Sequence, residues 1–151
     1  MTDVKISIIG AGSATFSLAL VKDLCLTPNL SGSIVSFMDV NEERLEAVYT
    51  LCKGYVEKTT DRKKSLQEAD FVINTALVVG YNGYRAGWNI GFKHKYRFGG
   101  SYHIMHDEGF WINFYQFKLF ESIVNDILDI CPNAWYLTVS YTHLRAHETV
   151  L

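Results

Sequence analysis

Residues 4–9 read V-K-I-S-I-I, an apolar and β-branched run that stops at Gly10-Ala11-Gly12. Past the second glycine the period changes, and Phe16, Leu20, Val21 and Leu24 recur at helical spacing. A buried strand, a turn with two glycines and a helix in direct succession constrain the fold more than any other feature of the chain. A short buried strand followed by such a turn and helix points to a parallel sheet flanked by helices.

The rest of the chain alternates in the same way. The first helix should end near Leu26-Thr27-Pro28, because the residue before a proline is driven out of the helical region. After Ser31-Gly32-Ser33 a second strand, I-V-S-F-M, runs to Asp39. Asn41 is expected to cap a helix beginning E-E-R-L, with Leu45, Val48, Leu51 and Cys52 as its apolar stripe. A polar run, K-T-T-D-R-K-K, and a short S-L-Q-E-A segment precede a third strand, F-V-I-N-T-A, at 71–76. Residues 77–106 are rich in glycine and aromatics, show no sustained period and read as a long functional loop. A helix is expected from about Asp107 to Ile130. Phe110, Trp111, Ile112, Phe114, Tyr115 and Phe117 make its first half apolar nearly all round, which predicts a place deep in the core. After Cys131-Pro132-Asn133, A-W-Y-L-T-V starts a fourth strand. The expected fold class is α/β, a Rossmann-like parallel sheet with helices on both faces.

The first turn carries the chemistry. Gly10 can take a tight turn that a Cβ would obstruct, and Gly12 lets the backbone close on a pyrophosphate at the positive end of the helix. Position 15, where a third glycine would complete the fingerprint, is Thr15. Two glycines alone are weak evidence. Asp39 strengthens them, because a carboxylate at the end of the second strand can accept from adenosine ribose hydroxyls and repels a 2′-phosphate. Strand, G-x-G, helix, strand and acid in that order predict a dinucleotide site that prefers NAD to NADP.

Composition excludes other classes. With 151 residues, 48% hydrophobic and 20% charged, the chain is expected to form one globular domain. A net charge of −2 gives no reason to expect nucleic acid or an anionic membrane as partner. Cys25, Cys52 and Cys131 are scattered and odd in number, which favours a reducing, cytoplasmic setting over a disulfide framework. Lys5 and the run Ile6 to Val21 imitate a secretory leader, but Asp3 and the early interruption by Gly10, Gly12 and Ser13 speak against one.

Taken together, K-I-S-I-I-G-A-G-S-A-T-F, F-M-D-V-N-E-E-R-L, D-R-K-K-S-L-Q-E-A-D-F-V-I-N-T-A and C-P-N-A-W-Y-L resemble glycoside hydrolase family 4 over most of residues 4–138. These are NAD- and manganese-dependent α-glycosidases whose fold is similar to that of lactate and malate dehydrogenases. The resemblance implies hydrolysis outside the two-carboxylate scheme. NAD transiently oxidises the sugar C3 hydroxyl, a base removes the acidified C2 proton, and the glycosidic oxygen is eliminated with a metal steadying the enediolate. Water then adds and C3 is reduced again. By the same resemblance Gly10, Gly12, Ser13, Ala14 and Asp39 match the NAD-binding pattern, and Asn74 lies near the nicotinamide ribose. In the run H-I-M-H-D-E, His106 and Asp107 are expected to face the sugar, against the alternative that Asp107 only caps a helix. The histidine pair His103 and His106, followed by Glu108, invites a metal reading, but the family's metal ligands are a Cys and a His further along, so no metal ligand is expected here. A small-molecule glycoside substrate and a homo-oligomeric parent are also implied.

Two departures shape the expected domain plan. Tyr55-Val56-Glu57 runs almost directly into K-T-T-D-R, which would leave the sheet one strand short. After Val139-Ser140 the chain reads Tyr141-Thr142 where the family has Asn-Pro. His143 and His147 share a helical face, with Glu148 beside them, yet lack a third ligand on a scaffold. This stretch resembles the translation of a transposase-type sequencing adapter. Residues 1–138 are therefore expected to be an NAD-binding domain, truncated and inactive by itself, and 139–151 a non-native tail. Two alternatives stay open: a truncated lactate- or malate-type dehydrogenase, with Arg85 and Arg97 in its loop, and a stand-alone NAD-binding module.

Overall fold

The computed structural model describes residues 3–30, 32–78, 80–95 and 110–138. Strands β1 (Lys5–Ile9), β2 (Ile34–Met38), β3 (Val56–Thr59), β4 (Phe71–Asn74) and β5 (Trp135–Thr138) form one sheet in the order β3-β2-β1-β4-β5. Every pairing is parallel. The chain divides into two compact units: Met1–Ala76 with Asn125–Leu151, and Leu77–Val124. The sheet lies in the first unit.

Alternation along the strands separates two faces. On one, Ile6, Ile8, Val35 and Phe37 pack with Val21 of α1 (Ala14–Cys25) and with Leu45 and Val48 of α2 (Glu42–Leu51). On the other, the Ser7 and Ser65 hydroxyls lie 2.6 Å apart and Ser65 Oγ donates to Ser36 Oγ at 3.3 Å. Ser65 belongs to α3 (Arg62–Leu66), so helices cover both faces, as the sequence predicts. All three serines are buried, and their mutual bonds offset the cost of removing the hydroxyls from water. Arg62 Nε also donates to Asp126 Oδ2 at 2.6 Å, which holds α3 against the last turns of α5 (Phe110–Ile130).

In the second unit, α4 (Gly80–Lys93) is followed by the start of α5, and Val78 N donates to Gln116 Oε1 at 3.1 Å. No helix among the described residues is long and apolar enough to cross a membrane.

Several expectations need correction. The missing strand is present: β3, V-E-K-T, pairs with β2 at the sheet edge, where only Val56 is buried and no apolar run is required. The expected loop at 77–106 contains α4. This helix forms although Gly80, Gly83, Gly87 and Gly91 each depress helix propensity. The expected deep burial of Phe114, Tyr115 and Phe117 on α5 fails. Phe117 is 64% exposed whereas Gln116 is 1% exposed, and the buried stripe is Gln116, Ile123 and Ile127. Phe16 and Leu51 likewise face outward, and Ser17 and Cys52 take the inward positions. The cap at Asn41 is as expected, its side chain accepting from Arg44 N at 2.9 Å. A second cap at Asp61 was not read from sequence; its carboxylate accepts from Lys63 N at 2.9 Å.

Phe37 is fully buried in β2, the strand between β1 and β3. Phe37→Ala is expected to lower unfolding free energy by about 3–5 kcal/mol through lost burial and a cavity. Urea titration should show an earlier midpoint at unchanged slope.

Candidate functional site

The strand order changes direction between β1 and β4: successive strands run outward from β1 to β3, then resume beside β1 on its other side. In open α/β sheets ligands bind outside the carboxyl ends of the strands at such a switch point. Gly10, Asp39 and Thr75 follow directly on β1, β2 and β4, so all three stand at this end of the sheet.

Gly10 has φ +88°, and its N–H and that of Ala11 both donate to Met38 O, at 2.9 and 3.0 Å. A Cβ on Gly10 would lie 2.5 Å from Ala76 N, in the segment leaving β4. Thr75 Oγ1 donates from the same segment to Ile9 O and Gly10 O, each at 3.1 Å. Gly10 is therefore needed for both its left-handed backbone and its closeness to the neighbouring chain.

The Gly12 N–H donates to Asp39 Oδ2 at 2.8 Å, and Asn41 N donates to Asp39 Oδ1 at 2.8 Å. A Cβ on Gly12 would sit 2.8 Å from that Oδ2. The close approach that the sequence assigns to a pyrophosphate is thus made first to Asp39. The carboxylate is half-buried and oriented from both sides, with lone pairs left for ribose hydroxyls. Ser13 stands at the N-cap of α1 with extended backbone and no side-chain capping bond, and Ala14, the first helical residue, is exposed. The positive end of a 12-residue helix is thereby left without a side-chain cap, in the position an anionic group would occupy.

Thr15 is exposed, so no close helix–strand contact is needed at the position of the missing third glycine. That contact falls on Ser17, fully buried, whose Oγ donates to Ala11 O at 2.9 Å. Neither Ser17 nor Thr75 was singled out from sequence. Ser17 had a faint signal as a small residue on the inward side of the helix; Thr75 had none.

Asn74 reaches the same end of the sheet but is fully buried. Its Nδ2 donates to the Tyr136 hydroxyl at 3.0 Å, and its Oδ1 accepts from Ala76 N at 3.0 Å. The amide therefore shapes the segment beside Gly10. Burial pushes the Tyr136 hydroxyl up to about 12, against smaller opposing effects of the Asn74 bond and the Arg62 charge. His103, His106, Asp107 and Glu108, and the tail at 139–151 with His143, His147 and Glu148, lie outside the described residues. Among the described residues, no group of three or more His, Cys, Asp or Glu side chains could hold a metal ion.

The model of the family 4 glycosyl hydrolases matches residues 5–145. An alpha-galactosidase of Bacillus subtilis (strain 168) is 32% identical over 158 aligned positions, covering 96% of this chain and 35% of that protein. An alpha-glucosidase of Erwinia rhapontici is 28% identical, covering 97% of this chain and 34% of that protein. The chain thus spans about a third of the length of these relatives. Among solved structures, the 6-phospho-beta glucosidase from Thermotoga maritima with manganese, NAD+ and glucose-6-phosphate superposes with a TM-score of 0.75 at 22% identity, over 91% of this chain and 34% of that one. A 6-phospho-alpha-glucosidase from gut microorganisms, in complex with NAD and Mn2+, gives 0.74 at 18% identity, over 91% of this chain and 32% of that one. At these identities the structural likeness speaks for the fold.

Two outcomes are expected from the turn and its neighbours. Gly10→Ala should lower the melting temperature sharply, since a left-handed alanine costs about 1–2 kcal/mol before any clash is counted. Tyr136 should make stability fall with alkalinity. Its folded-state value lies above the ordinary value of 10, so its contribution is complete below pH 10 and is lost as pH rises towards 12. Denaturant titrations at pH 9 to 12 should show a steeper loss for the wild type than for Tyr136→Phe.

Proposed function

The chain belongs to glycosyl hydrolase family 4, and on that premise we propose that it is the NAD-binding part of a glycosidase that cleaves O-glycosidic bonds through transient oxidation of the sugar. The observation that carries this reading is the junction of Gly12 and Asp39. A backbone N–H holds one oxygen of a strand-end carboxylate at 2.8 Å, at the switch point of a parallel sheet. Bound there, NAD would supply reversible hydride transfer at the sugar C3, the step that makes the C2 proton removable.

Each residue present has its own part in that reading. Asp39 accepts from the adenosine ribose hydroxyls with the lone pairs that Gly12 and Asn41 leave unused. Ser13 and Ala14 present the start of α1 to the pyrophosphate. Asn74 acts at one remove, because its amide fixes the Ala76 backbone alongside Gly10. No step is assigned to manganese, because the described residues offer no donor set for it. The substrate class is a small-molecule glycoside, as the names of the relatives suggest, and the parent protein is a homo-oligomer of the cytoplasm. His106 and Asp107 face the sugar in this reading. In a full-length parent Asp107→Asn should then change kcat or KM, and unchanged kinetics would remove Asp107 from the site.

Calorimetric titration of the chain with NAD tests the proposal. Saturable binding is expected, weakened in Asp39→Ala by more than about tenfold, the loss of about 1.4 kcal/mol or more that goes with a charge-assisted bond to a hydroxyl. NAD should bind more tightly than NADP. A folded chain that takes up no NAD at millimolar concentration sinks the reading.

A further inference from the structure

We infer that Arg44 is a second reader of the adenosine ribose, one that offsets the rejection of a 2′-phosphate by Asp39, so that the site takes NADP as well as NAD and holds the preference for NAD to a narrow margin. The inference rests on the dinucleotide reading above and adds a residue to it.

Its first support is position. A Cβ placed on Gly12 would meet Asp39 Oδ2 at 2.8 Å and Arg44 Cβ at 3.0 Å. The base of Arg44, the strand-end carboxylate and the glycine turn thus converge on one spot. The second support is the state of the two charges. Asp39 receives the N–H of Gly12 on one oxygen and that of Asn41 on the other, neutral donors that orient the carboxylate without neutralising it. Arg44 is exposed, and no ion pair engages it among the described residues.

The third support is a local conflict. Arg44 is the third residue of α2, where its backbone N–H is capped by the Asn41 side chain. The positive end of a helix disfavours a cation, so the dipole argues against an arginine there. Residues set against local preference without a packing reward are candidates for function. The chemistry supplies one: a carboxylate at this place reads ribose hydroxyls, while an arginine nearby accommodates a 2′-phosphate. The planar guanidinium fork matches phosphate oxygens in pairs, which a lone ammonium does not. Both reading groups are present in this chain, five positions apart.

The test measures Kd for NAD and for NADP by calorimetry on the 151-residue chain, as wild type, Arg44→Gln and Arg44→Lys. Circular dichroism and melting check the fold, and glutamine suits the third position of a helix. Arg44→Gln is expected to raise Kd for NADP about tenfold (about 1.4 kcal/mol) while NAD stays within about twofold. Arg44→Lys should keep part of the NADP affinity, because the charge remains and the fork is lost. If NAD binding is intact and Arg44→Gln leaves the NAD-to-NADP ratio unchanged, or weakens both nucleotides alike, the role of Arg44 is overturned and the dinucleotide site stands. If the folded wild type binds NAD no better than buffer does, the site itself falls, and Arg44 with it.

Discussion

Three strand ends meet at the backbone of Gly10, and the geometry of the candidate site follows from how tightly they meet. Met38 O at the end of β2 accepts from both Gly10 and Ala11, and Thr75 after β4 bonds back to Ile9 and Gly10. Any side chain at position 10 would have to occupy space 2.5 Å from the Ala76 amide. Because the turn is locked from both sides, the Gly12 N–H has one direction to point, and Asp39 lies there. The far end of the sheet is tied by one residue as well. Asp70 accepts from Lys5 N through its side chain, donates to Lys5 O through its own N–H and accepts from Trp135 N. Between the two clamps β1, β4 and β5 keep a single register.

The two faces of the sheet are stabilised by different physics. The face under α1 and α2 is apolar and gains from removal of area from water, with Ile8 and Phe37 fully buried. The face under α3 carries Ser7, Ser36 and Ser65. Burying those hydroxyls gives little transfer energy, but an unmatched hydroxyl would cost more than a matched pair contributes, so the seam specifies where α3 sits. The Asp61 cap and the bond from Arg62 to Asp126 act on the same short helix. A five-residue helix is too short to hold by propensity, and it needs these tertiary contacts.

What could be read from sequence was whatever had a period or a fixed local chemistry. β1, β2 and β4 are apolar runs between breakers, the cap at Asn41 needs only its own neighbourhood, and Gly10, Gly12 and Asp39 follow from a local turn rule. β3 could not be seen, because V-E-K-T buries one side chain and borrows its strand state from β2. α5 reads as a helix, but its inward face does not follow from its apolar content. Aromatic content at Phe114, Tyr115 and Phe117 outweighed Gln116, whose burial depends on a bond to Val78, 38 residues earlier. Asn74 carries the same lesson inside the site. Its partner Tyr136 is 62 residues away, and nothing near either residue announces the pair.

Asp39 joins fold and function in one group, and that has a consequence for binding. A carboxylate free to rotate would have to be ordered by the ligand, which costs affinity. Here the N–H groups of Gly12 and Asn41 have already fixed both oxygens, so the remaining lone pairs are aimed before any ribose arrives. Those two donors are neutral and leave the carboxylate its charge, so its repulsion of a 2′-phosphate has to be offset by a cation. How far that exclusion is relaxed rests on the neighbouring cation, Arg44, whose Cβ lies 3.0 Å from where a Cβ on Gly12 would stand.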